Sequence, residues 1–465
     1  MIRTIRRTVV AFTAALLLAP PAGLHAEDAA ISWDDVPVIL ARIQAPQFPA
    51  RDFPITDFGA KADGVTDCTA AIENAVAACS AAGGGRVVAS GGVFLTGAIH
   101  LKSHVNLHVS EGATLKFSPD TTKYLPVVLV RFEGTECMNY SPLIYALDQE
   151  NIAVTGKGTL DGSASRETWW GLMRRPVANP GETAPSRLAA QRELIDMGNN
   201  NTPVAQRIFG DKGALRPNFI VPYRCKNILI EDVHIMNSPM WEINPVLSTN
   251  VTVRGVDINS HGPNNDGCDP DSSRDVLIEN CTFDTGDDCI AIKSGKDADG
   301  RRVNVPAENL IVRNCVMKDG HGGVVLGSEN SGGIRNVFAE NCRMDSPNLQ
   351  RALRLKTSAT RGGFLENVFM RNCEVGEVSH SILTIDLVYG RVTSGPFKPV
   401  VRNVLMENIT SKKSPRVLSV VGTANSTIEN VRLSGCTFKG VAGADILTYS
   451  GDISYKNVSI EPAGK

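Results

Sequence analysis

The sequence lacks several features that mark common classes of protein. After residue 26, no apolar stretch is long enough to cross the ~30 Å hydrocarbon core of a membrane. No group of cysteines and histidines has the spacing of zinc ligands. An excess of basic residues is also missing. Of the 47 basic residues, three lie in the first 26, which leaves 44 against 49 acidic residues and a net charge of about −5. These absences disfavour a membrane-spanning protein, a zinc module and a protein whose main partner is nucleic acid.

The first 26 residues have the composition of an export signal. Arg3, Arg6 and Arg7 form a basic start, Val9 to Leu18 form an apolar stretch, and Leu24-His25-Ala26 provides a cleavage site. The apolar stretch is too short to anchor the chain in a bilayer. We therefore expect residues 1–26 to be a signal peptide and the protein to be exported, to a periplasm or out of the cell.

Eleven cysteines in an exported protein suggest disulfides, but most of them occur in another context. Five occupy the same place in a recurring phrase of the sequence: Cys281, Cys315, Cys342, Cys373 and Cys436. Free cysteine is among the most buried residue types. The repetition therefore predicts a buried column of small apolar residues.

That recurring phrase, an asparagine followed by alternating aliphatic residues, is the fold signal. Successive phrases start 23 to 36 residues apart, and aspartate replaces asparagine once, at Asp275. The phrases start at Asn227, Asn250, Asp275, Asn309, Asn336, Asn367, Asn403, Asn430 and Asn457. A period of 20–50 residues indicates a solenoid, a propeller or an array. The units contain short period-2 strands and no helical stretch, and the asparagine suits a turn with left-handed backbone and stacked amides. We predict an all-β fold, a right-handed parallel β-helix of about ten coils. A propeller of four-stranded blades is the alternative, disfavoured by the variable spacing.

The chain after the signal peptide is divided into a lead-in segment and one domain that contains the repeat. Residues 27–50 form a lead-in segment, and residues 51–465 form the β-helix catalytic domain, with an entry and capping section at 51–120 and an inserted loop at 163–216. An insertion on a solenoid usually becomes a loop on one face, often the binding face.

Two helical stretches are predicted within these sections. Asp67 to Ala82 reads as an N-terminal capping helix with Asp67 as its N-cap and Gly83-Gly84-Gly85 as its end, placed to cover the first open coil. A second helical patch lies near Arg187 to Leu194, inside the insertion.

Three aspartates stand out as candidate catalytic residues. Asp266 and the pair Asp287-Asp288 are about one coil apart, so stacking would bring them together at one edge. The adjacent carboxylates repel, so one of the pair should have a raised pKa, as hydrolysis by an acid/base pair requires. Within a strand the two would face opposite sides, and Gly286 allows the bend that brings both into a cleft. Aspartate is also a common turn former, which is how we interpret Asp269, Asp271 and Asp284.

Cationic and aromatic residues follow at coil spacing. His321 lies between two glycines, one coil beyond the aspartate pair, where it could be their hydrogen-bond partner. Arg354 and Lys356, at i and i+2, share one strand face and suit a carboxylate-bearing sugar. Tyr389 could pack on a sugar ring. The basic zone could be extended by Lys293, Lys296, Arg301 and Arg302. The following tryptophans could be core residues or platforms for a sugar: Trp169, Trp170 and Trp241.

Four short phrases carry a resemblance to a known family. Asn264-Asn265-Asp266, Gly286-Asp287-Asp288, Gly320-His321-Gly322 and Arg354-Leu355-Lys356 resemble the four ordered motifs of family 28 glycoside hydrolases, the polygalacturonases. The likeness extends from about residue 50 to the C-terminus and looks closest to bacterial exo-acting members. The phrase from Asp57 to Gly64 also resembles the start of many pectin-degrading β-helices. One departure is Asn265, where many members have threonine.

The resemblance implies inverting hydrolysis of the α-1,4-galacturonosyl bonds of polygalacturonate. Asp287 would be the general acid, Asp266 and Asp288 would activate a water, and His321 would assist the acid. Arg354 and Lys356 would hold the galacturonate carboxylate, with Lys293, Tyr389 and Arg302 as further substrate-binding residues. No metal or other cofactor is implied. The partner would be pectin, with no nucleic acid and no membrane, and we expect a monomer.

Three other functions remain open from the sequence. A pectate or pectin lyase shares the fold and substrate but uses Ca²⁺ or an arginine base, which fits clustered aspartates less well. A hydrolase of the rhamnose-containing pectin backbone is closer. A non-catalytic polysaccharide-binding solenoid would explain the fold but not four aligned polar motifs. Exo action is a hypothesis that rests on the insertion at 163–216 and on the likeness.

Overall fold

The structure, a computed structural model, describes residues 31–173 and 187–464. The predicted signal peptide lies outside the described residues, as does the middle of the insertion. The described chain winds into a right-handed parallel β-helix, which confirms the predicted fold class. Thirteen strands occur in each of two long sheets, so the solenoid has more coils than the ten expected. No helix within the described ranges is long and apolar enough to cross a membrane.

The coils build two long parallel sheets. The first sheet contains Asp52–Pro54, Gly85–Ala89, Val105–Val109, Glu150–Thr155, Lys226–Glu231, Thr249–Arg254, Arg274–Glu279, Ala307–Arg313, Ile334–Glu340, Phe364–Arg371, Val400–Glu407, Thr427–Ser434 and Ile453–Lys456. The second sheet contains Asp63–Asp67, Gly92–Thr96, Ala113–Phe117, Thr159–Asp161, His234–Met236, Asp257–Ser260, Thr282–Thr285, Val316–Asp319, Arg343–Met344, Glu374–Glu377, Thr410–Lys413, Thr437–Val441 and Ser459–Pro462.

A third, less regular sheet completes the coils. Its six consecutive strands are Ile290–Ile292, Val324–Leu326, Arg351–Lys356, Ser381–Asp386, Leu418–Val421 and Ile446–Thr448. Earlier coils contribute a separate three-stranded sheet on the same side, of Ile99–His100, Ile144–Leu147 and Ile220–Tyr223. Single bridges through Ile243 and Cys268 connect it to Ile290. We refer to this whole side as the third sheet.

The recurring asparagines form a ladder beside the first sheet. Asn336, for example, has φ +58°, its Nδ2 donates to Asn309 Oδ1 at 3.0 Å, and its Oδ1 accepts from Asn367 at 3.0 Å. Asp275 has the same left-handed backbone but can only accept, at 3.2 Å from Asn309. The predicted turn geometry and stacked amides are therefore confirmed.

The solenoid interior is apolar and continuous. The first strand residue after each asparagine and the one two positions later point inward, as Val337 and Ala339 do. The five repeated cysteines are buried in the same core, which confirms the predicted column, and all eleven cysteines are free thiols. The core is thus built by repetition of a few inward positions.

Helices are few and lie outside the coils. The described residues contain α1, Val36–Arg42; α2, Thr69–Ala81; α3, Arg187–Asn199; and α4, Asp297–Val303. Short 3₁₀ helices occur at Trp33–Asp35, Ile55–Phe58, Thr121–Tyr124, Trp169–Met173, Val204–Gln206, Gly210–Lys212 and Tyr389–Arg391.

Helix α2 is the predicted cap on the first coils, and its apolar face, including Ile72 and Val76, joins the main core. It begins one residue later than predicted, with Cys68 rather than Asp67 at the N-cap position. Asp67 Oδ1 nevertheless accepts from the Thr69 amide at 2.9 Å. The Asp67 side chain therefore satisfies a free N–H of the first turn although it lies one residue before the N-cap position.

The lead-in segment, residues 31–50, crosses the outside of the first sheet as a strap. Val36 and Ile39 of α1 pack on the outward-facing side chains of Leu277, Ile311 and Phe338. Trp33 Nε1 donates to Glu407 at 2.9 Å, while Gln44 bonds Asn250 at the other end. The strap therefore runs across many coils.

Over the early coils, the third sheet is covered by what we call the wall. It consists of an antiparallel hairpin, Val128–Phe132 and Thr135–Asn139, together with α3 and α4. A separate apolar cluster, including Val130, Leu194 and Trp241, holds the wall together. The groove described below begins where this cover ends.

Candidate active site

The site forms where coils enter the third sheet, just before its strands. The Gly267 amide donates to Asp288 O at 3.0 Å, and Cys268 pairs with Ile290. This register places Asp266 beside Asp288 on the neighbouring coil. The sequence spacing of 22 residues is thus one coil.

Two glycines permit the close approach of these coils. A Cβ on Gly286 would lie 2.4 Å from Gly262 O, and one on Gly320 would lie 2.4 Å from Asp287 O. Gly320 also has φ +142°. Because neither position accepts a side chain, the backbone can bring His321 onto Asp287.

His321 and Asp287 form a direct pair. His321 Nδ1 lies 2.8 Å from Asp287 Oδ1, and the His321 amide donates to Asp287 O at 2.9 Å. The hydrogen bond to Asp287 raises the pKa of His321, against the effect of its burial. Burial alone would raise the pKa of Asp287, but the bond from His321 and the charges of Lys356 and Lys293 place it below its ordinary value. The raised pKa expected within the aspartate pair is therefore not found at Asp287.

Asp288 is completely buried and held by two cations. Lys356 Nζ donates to its Oδ2 at 2.6 Å, and Arg354 Nη1 lies 3.6 Å from its Oδ1. Both cations also lie over the ring of Tyr389, at 5.3 Å for Lys356 and 5.6 Å for Arg354. The two predicted cations therefore meet at one carboxylate, and the predicted Tyr389 lies against the cations.

Asp266 shares a second buried cation. Lys293 Nζ lies 3.6 Å from Asp266, 3.5 Å from Asp269 and 3.5 Å from Glu329, and 4.4 Å above the ring of Trp241. Burial, followed by the nearby carboxylates, raises the pKa of Asp266 well above its ordinary value. Lys293 is thus neutralised by acidic side chains rather than free in the groove.

Asp269 and Glu329 are site residues that sequence reasoning missed. Asp269, interpreted as a turn former, is fully buried, and burial raises its pKa. One signal for its role was available. Asp269 aligns with Ala291 of the next coil, two positions before the aligned pair Asp271 and Lys293, so its carboxylate lies near the lysine. Glu329 follows a strand without any repeated phrase around it.

The other two aspartates interpreted as turn formers also have partners. Asp271 pairs with Arg131 at 2.9 Å, with both side chains fully buried. Asp284 lies 3.0 Å from His261, which also approaches Asp319 at 3.7 Å.

Two groups of three could offer ligand atoms within 4.8 Å of one another: His261, Asp284 and Asp319; Asp287, Asp288 and His321. In both groups the imidazole already pairs with a carboxylate.

Several residues predicted to extend the basic zone lie elsewhere. Arg302 is not brought to the aspartates: on α4, its guanidinium pairs with Asp299 at 2.9 Å and Glu136 at 2.5 Å. Lys296 pairs with Glu133 at 3.3 Å, and Arg301 stacks on Phe397 at 3.6 Å. These cations hold surrounding segments together because each has a partner of its own.

The tryptophans left open by the sequence have different places. Trp169 is buried against Tyr124 and Tyr140, so it is a core residue. Trp170 donates from Nε1 to Ser238 O at 2.9 Å. Trp241 alone of the three contacts a site cation, Lys293.

The wall closes one side of the groove. Lys296 N donates to Gly134 O at the hairpin tip at 2.9 Å, and Arg187 of α3 pairs with Glu133 at 2.7 Å. Arg216, at the end of the insertion, donates to Asn264 Oδ1 at 2.8 Å and so holds the loop before Asp266. On the opposite side, toward the C-terminus, the third sheet continues past Arg354 through Thr384 and Ser419.

Comparisons with known proteins agree with this arrangement. The model of the glycosyl hydrolases family 28 matches residues 197–456. An exo-poly-alpha-D-galacturonosidase of Dickeya chrysanthemi is 28% identical over 414 residues, covering 82% of this chain and 67% of that protein. A probable polygalacturonase of Vitis vinifera is 30% identical over 335 residues; the match covers 69% of this chain and spans only 60% of that relative. The crystal structure of an exopolygalacturonase from Thermotoga maritima superposes with a TM-score of 0.88 at 45% identity, covering 93% of this chain and 96% of that one.

Proposed function

Because the chain belongs to family 28 of the glycosyl hydrolases, we propose that it hydrolyses the α-1,4-galacturonosyl bonds of polygalacturonate, the backbone of pectin. The observation that carries the proposal is the meeting of Asp287–His321 with Asp288, Arg354 and Lys356. Carboxylates supply acid and base, and the cations next to them suit a substrate with a carboxylate on every unit.

The acid is the Asp287–His321 pair. It holds one proton, which rests on His321 because the pKa of His321 is raised and that of Asp287 is lowered. His321 first passes this proton to Asp287, which then gives it to the leaving glycosidic oxygen. The pair, left as a neutral imidazole and a carboxylate, takes up a proton from solvent before the next turnover. A pair of this kind keeps the acid supplied at a pH where an isolated aspartate would be ionised.

Asp288 and Asp266 activate the attacking water. Lys356 and Arg354 hold the side chain of Asp288 in place. Asp266, whose pKa burial raises, hydrogen-bonds the same water from the neighbouring coil. Attack from the face opposite the acid inverts the anomeric centre, for which carboxyl groups roughly 6.5–9.5 Å apart are required.

The wall makes the enzyme exo-acting. Its hairpin covers the groove on the side of Lys293 and Glu329, so a polymer cannot extend in that direction. We propose that the terminal galacturonate binds beside this cover and that the remainder of the chain lies toward Arg354.

Product sizing on de-esterified polygalacturonate, with ultraviolet detection of unsaturated ends, tests the function. We expect saturated galacturonate monomer from the first time points, and none with Asp287→Asn protein as the control. A ladder of saturated oligomers would retain hydrolysis and overturn exo action. Unsaturated products would identify a lyase instead.

Shortening the hairpin tests the wall separately. Removal of the tip residues Phe132–Thr135 should open the groove and yield oligomers as well as monomer. If monomer stays the sole product of a folded variant, the wall does not impose exo action.

Export is the remaining part of the proposal. Expression of the full sequence should give mature protein outside the cytoplasm, with an N-terminus at or near Glu27 and monomeric on size exclusion. Full-length protein that stays in the cytoplasm would contradict a signal peptide.

A further inference from the structure

A row of aligned positions extends from the site along the solenoid axis. Val324 pairs with both Ile290 and Leu353, which places Asp288 two coils from Arg351 in the same row. Because neighbouring strands lie about 4.8 Å apart, the two backbones are about 10 Å apart. The row therefore continues the groove on its open side.

The same row reaches a second arginine. Arg351 pairs with Ser381, and Leu383 pairs with Leu418, which places Arg416 beside Ser381 on the next coil. Ile382 N donates to Arg416 O at 3.4 Å, consistent with this register. Arg416 is therefore two coils beyond Arg351, again about 10 Å along the axis.

Both arginines lack a carboxylate partner. Among the described residues, neither Arg351 nor Arg416 forms an ion pair, and the Nε of each is buried without an acceptor. Arg351 Nη1 donates only to neutral oxygens, Gln350 Oε1 at 2.6 Å and His321 O at 3.3 Å. Most other arginines beside the sheets are paired, as Arg371 is with Glu340 at 2.7 Å. These two guanidinium groups are thus left with hydrogen-bonding capacity for an anion.

His380 lies between them. Its Nδ1 is 3.1 Å from Ser381 Oγ, and its amide donates to Gln350 O at 2.9 Å. Burial and then the charges of Arg351, Arg416 and Arg354 lower the pKa of His380 to about 4. His380 is therefore a neutral hydrogen-bonding group above that pH, while Asp288 and Asp386 also act on the charge of Arg351.

We propose that Arg351, His380 and Arg416 form a second carboxylate-binding subsite, which takes a galacturonate further along the polymer than the unit held by Arg354 and Lys356. The inference rests on the proposed function, since a polyuronate presents a carboxylate on every unit and leaves the closed groove only on this side. Arginine is suited to such a site because its planar fork binds a carboxylate with two parallel bonds. The subsite favours long chains over dimers.

The test compares substrates of different length. For Arg416→Gln, we expect kcat/KM to fall about tenfold on polygalacturonate, as for loss of one hydrogen bond to a charged group, and to stay unchanged on digalacturonate. Arg416→Lys should recover part of the loss. Arg432→Gln is the matched control, because Arg432 lies on the outer face of the first sheet. Equal losses on both substrates, or no loss on either, would overturn the subsite.

A binding measurement separates this inference from the proposed function. In Asp287→Asn protein, Arg416→Gln should weaken calorimetric binding of hexagalacturonate but not of digalacturonate. If the wild type hydrolyses neither substrate but this difference is found, the hydrolase proposal fails and the subsite stands. If wild-type protein hydrolyses polygalacturonate and the difference is absent, the subsite fails alone.

Discussion

The first and third sheets belong to the same coils, yet they differ in almost every respect. The first sheet repeats one motif, in which an asparagine in left-handed conformation is bonded to the asparagine of the next coil. The third sheet repeats only apolar core positions such as Leu353 and Leu383, and beside them it collects buried carboxylates and lysines such as Asp288 and Lys356. Repetition gives the first sheet mutually supporting contacts, whereas the third sheet places unlike groups where they can act together. The comparison implies that stability and activity respond to different mutations.

The largest difference between the effect on activity and the effect on stability is expected for Asp287→Asn. Loss of the acid should lower kcat about 10²–10⁴-fold, whereas loss of the charged contact with His321 should lower the unfolding temperature only slightly. Asp275→Asn in the ladder is the matched control and should retain full activity, measured as reducing ends released per minute. Comparable activity of the two variants would remove Asp287 from the mechanism.

Lys293→Met should lower both stability and activity, although Lys293 belongs to the site. It leaves Asp266, Asp269 and Glu329 without their shared cation, which should cost about 3–5 kcal/mol of unfolding free energy as well as activity. Lys293 lowers the pKa of Glu329, so in the wild type this contribution exists above pH 4.5 and is lost as the pH falls through the lowered pKa. Urea titrations should therefore show a smaller difference between variant and wild type at acidic pH. A constant difference would contradict the shared cation.

Asn336→Ala should lower stability and leave activity unchanged, the opposite of Asp287→Asn. It removes two ladder hydrogen bonds and places alanine at φ +58°, so we expect a loss of about 2 kcal/mol in unfolding free energy with kcat/KM unchanged. Asn336→Gly keeps the backbone relaxed, and its smaller loss would measure the amide bonds alone. A fall in activity at constant stability would break the proposed division between the sheets.

The smallest effect concerns the Asp287–His321 pair as a stabilising contact. The raised pKa of His321 means that its contribution is fully present below pH 6.5 and is lost as the pH rises through the folded value. The lowered pKa of Asp287 means that its contribution is present above pH 3.8 and lost as the pH falls through its folded value. The unfolding temperature of wild type minus that of His321→Gln should thus be greatest between these limits. A difference that grows above pH 7 would reverse the assigned directions.

The sequence predicted the first sheet well because its signal is repeated. The asparagine phrase indicated both the solenoid and the turn conformation, and the cysteine column followed from the same spacing. The early coils were undercounted, since the first-sheet strands Asp52–Pro54 and Gly85–Ala89 lack the phrase. The hairpin Val128–Asn139 was missed because its two strands resemble the strands of a coil.

The candidate site could be predicted only in part. Spacing brought Asp266, Asp287, Asp288 and His321 together, and alternation placed Arg354 with Lys356. Partners drawn from outside the repeat could not be predicted, because pairing depends on three-dimensional contacts. Arg302 was therefore placed with the substrate rather than with Glu136, and Asp269 was interpreted as a turn.

The strap at residues 31–50 sets an order for assembly during synthesis. Trp33 bonds Glu407, 374 residues later, so at 5–20 residues per second the ribosome needs about 20–75 s to make its partner. The seven-residue helix α1 is too short to be stable alone in that interval. Until then the outward-facing rings of Phe338 and Phe369 have no complete cover. The first described segment to leave the ribosome is thus among the last to dock, and its docking marks a nearly complete stack of coils.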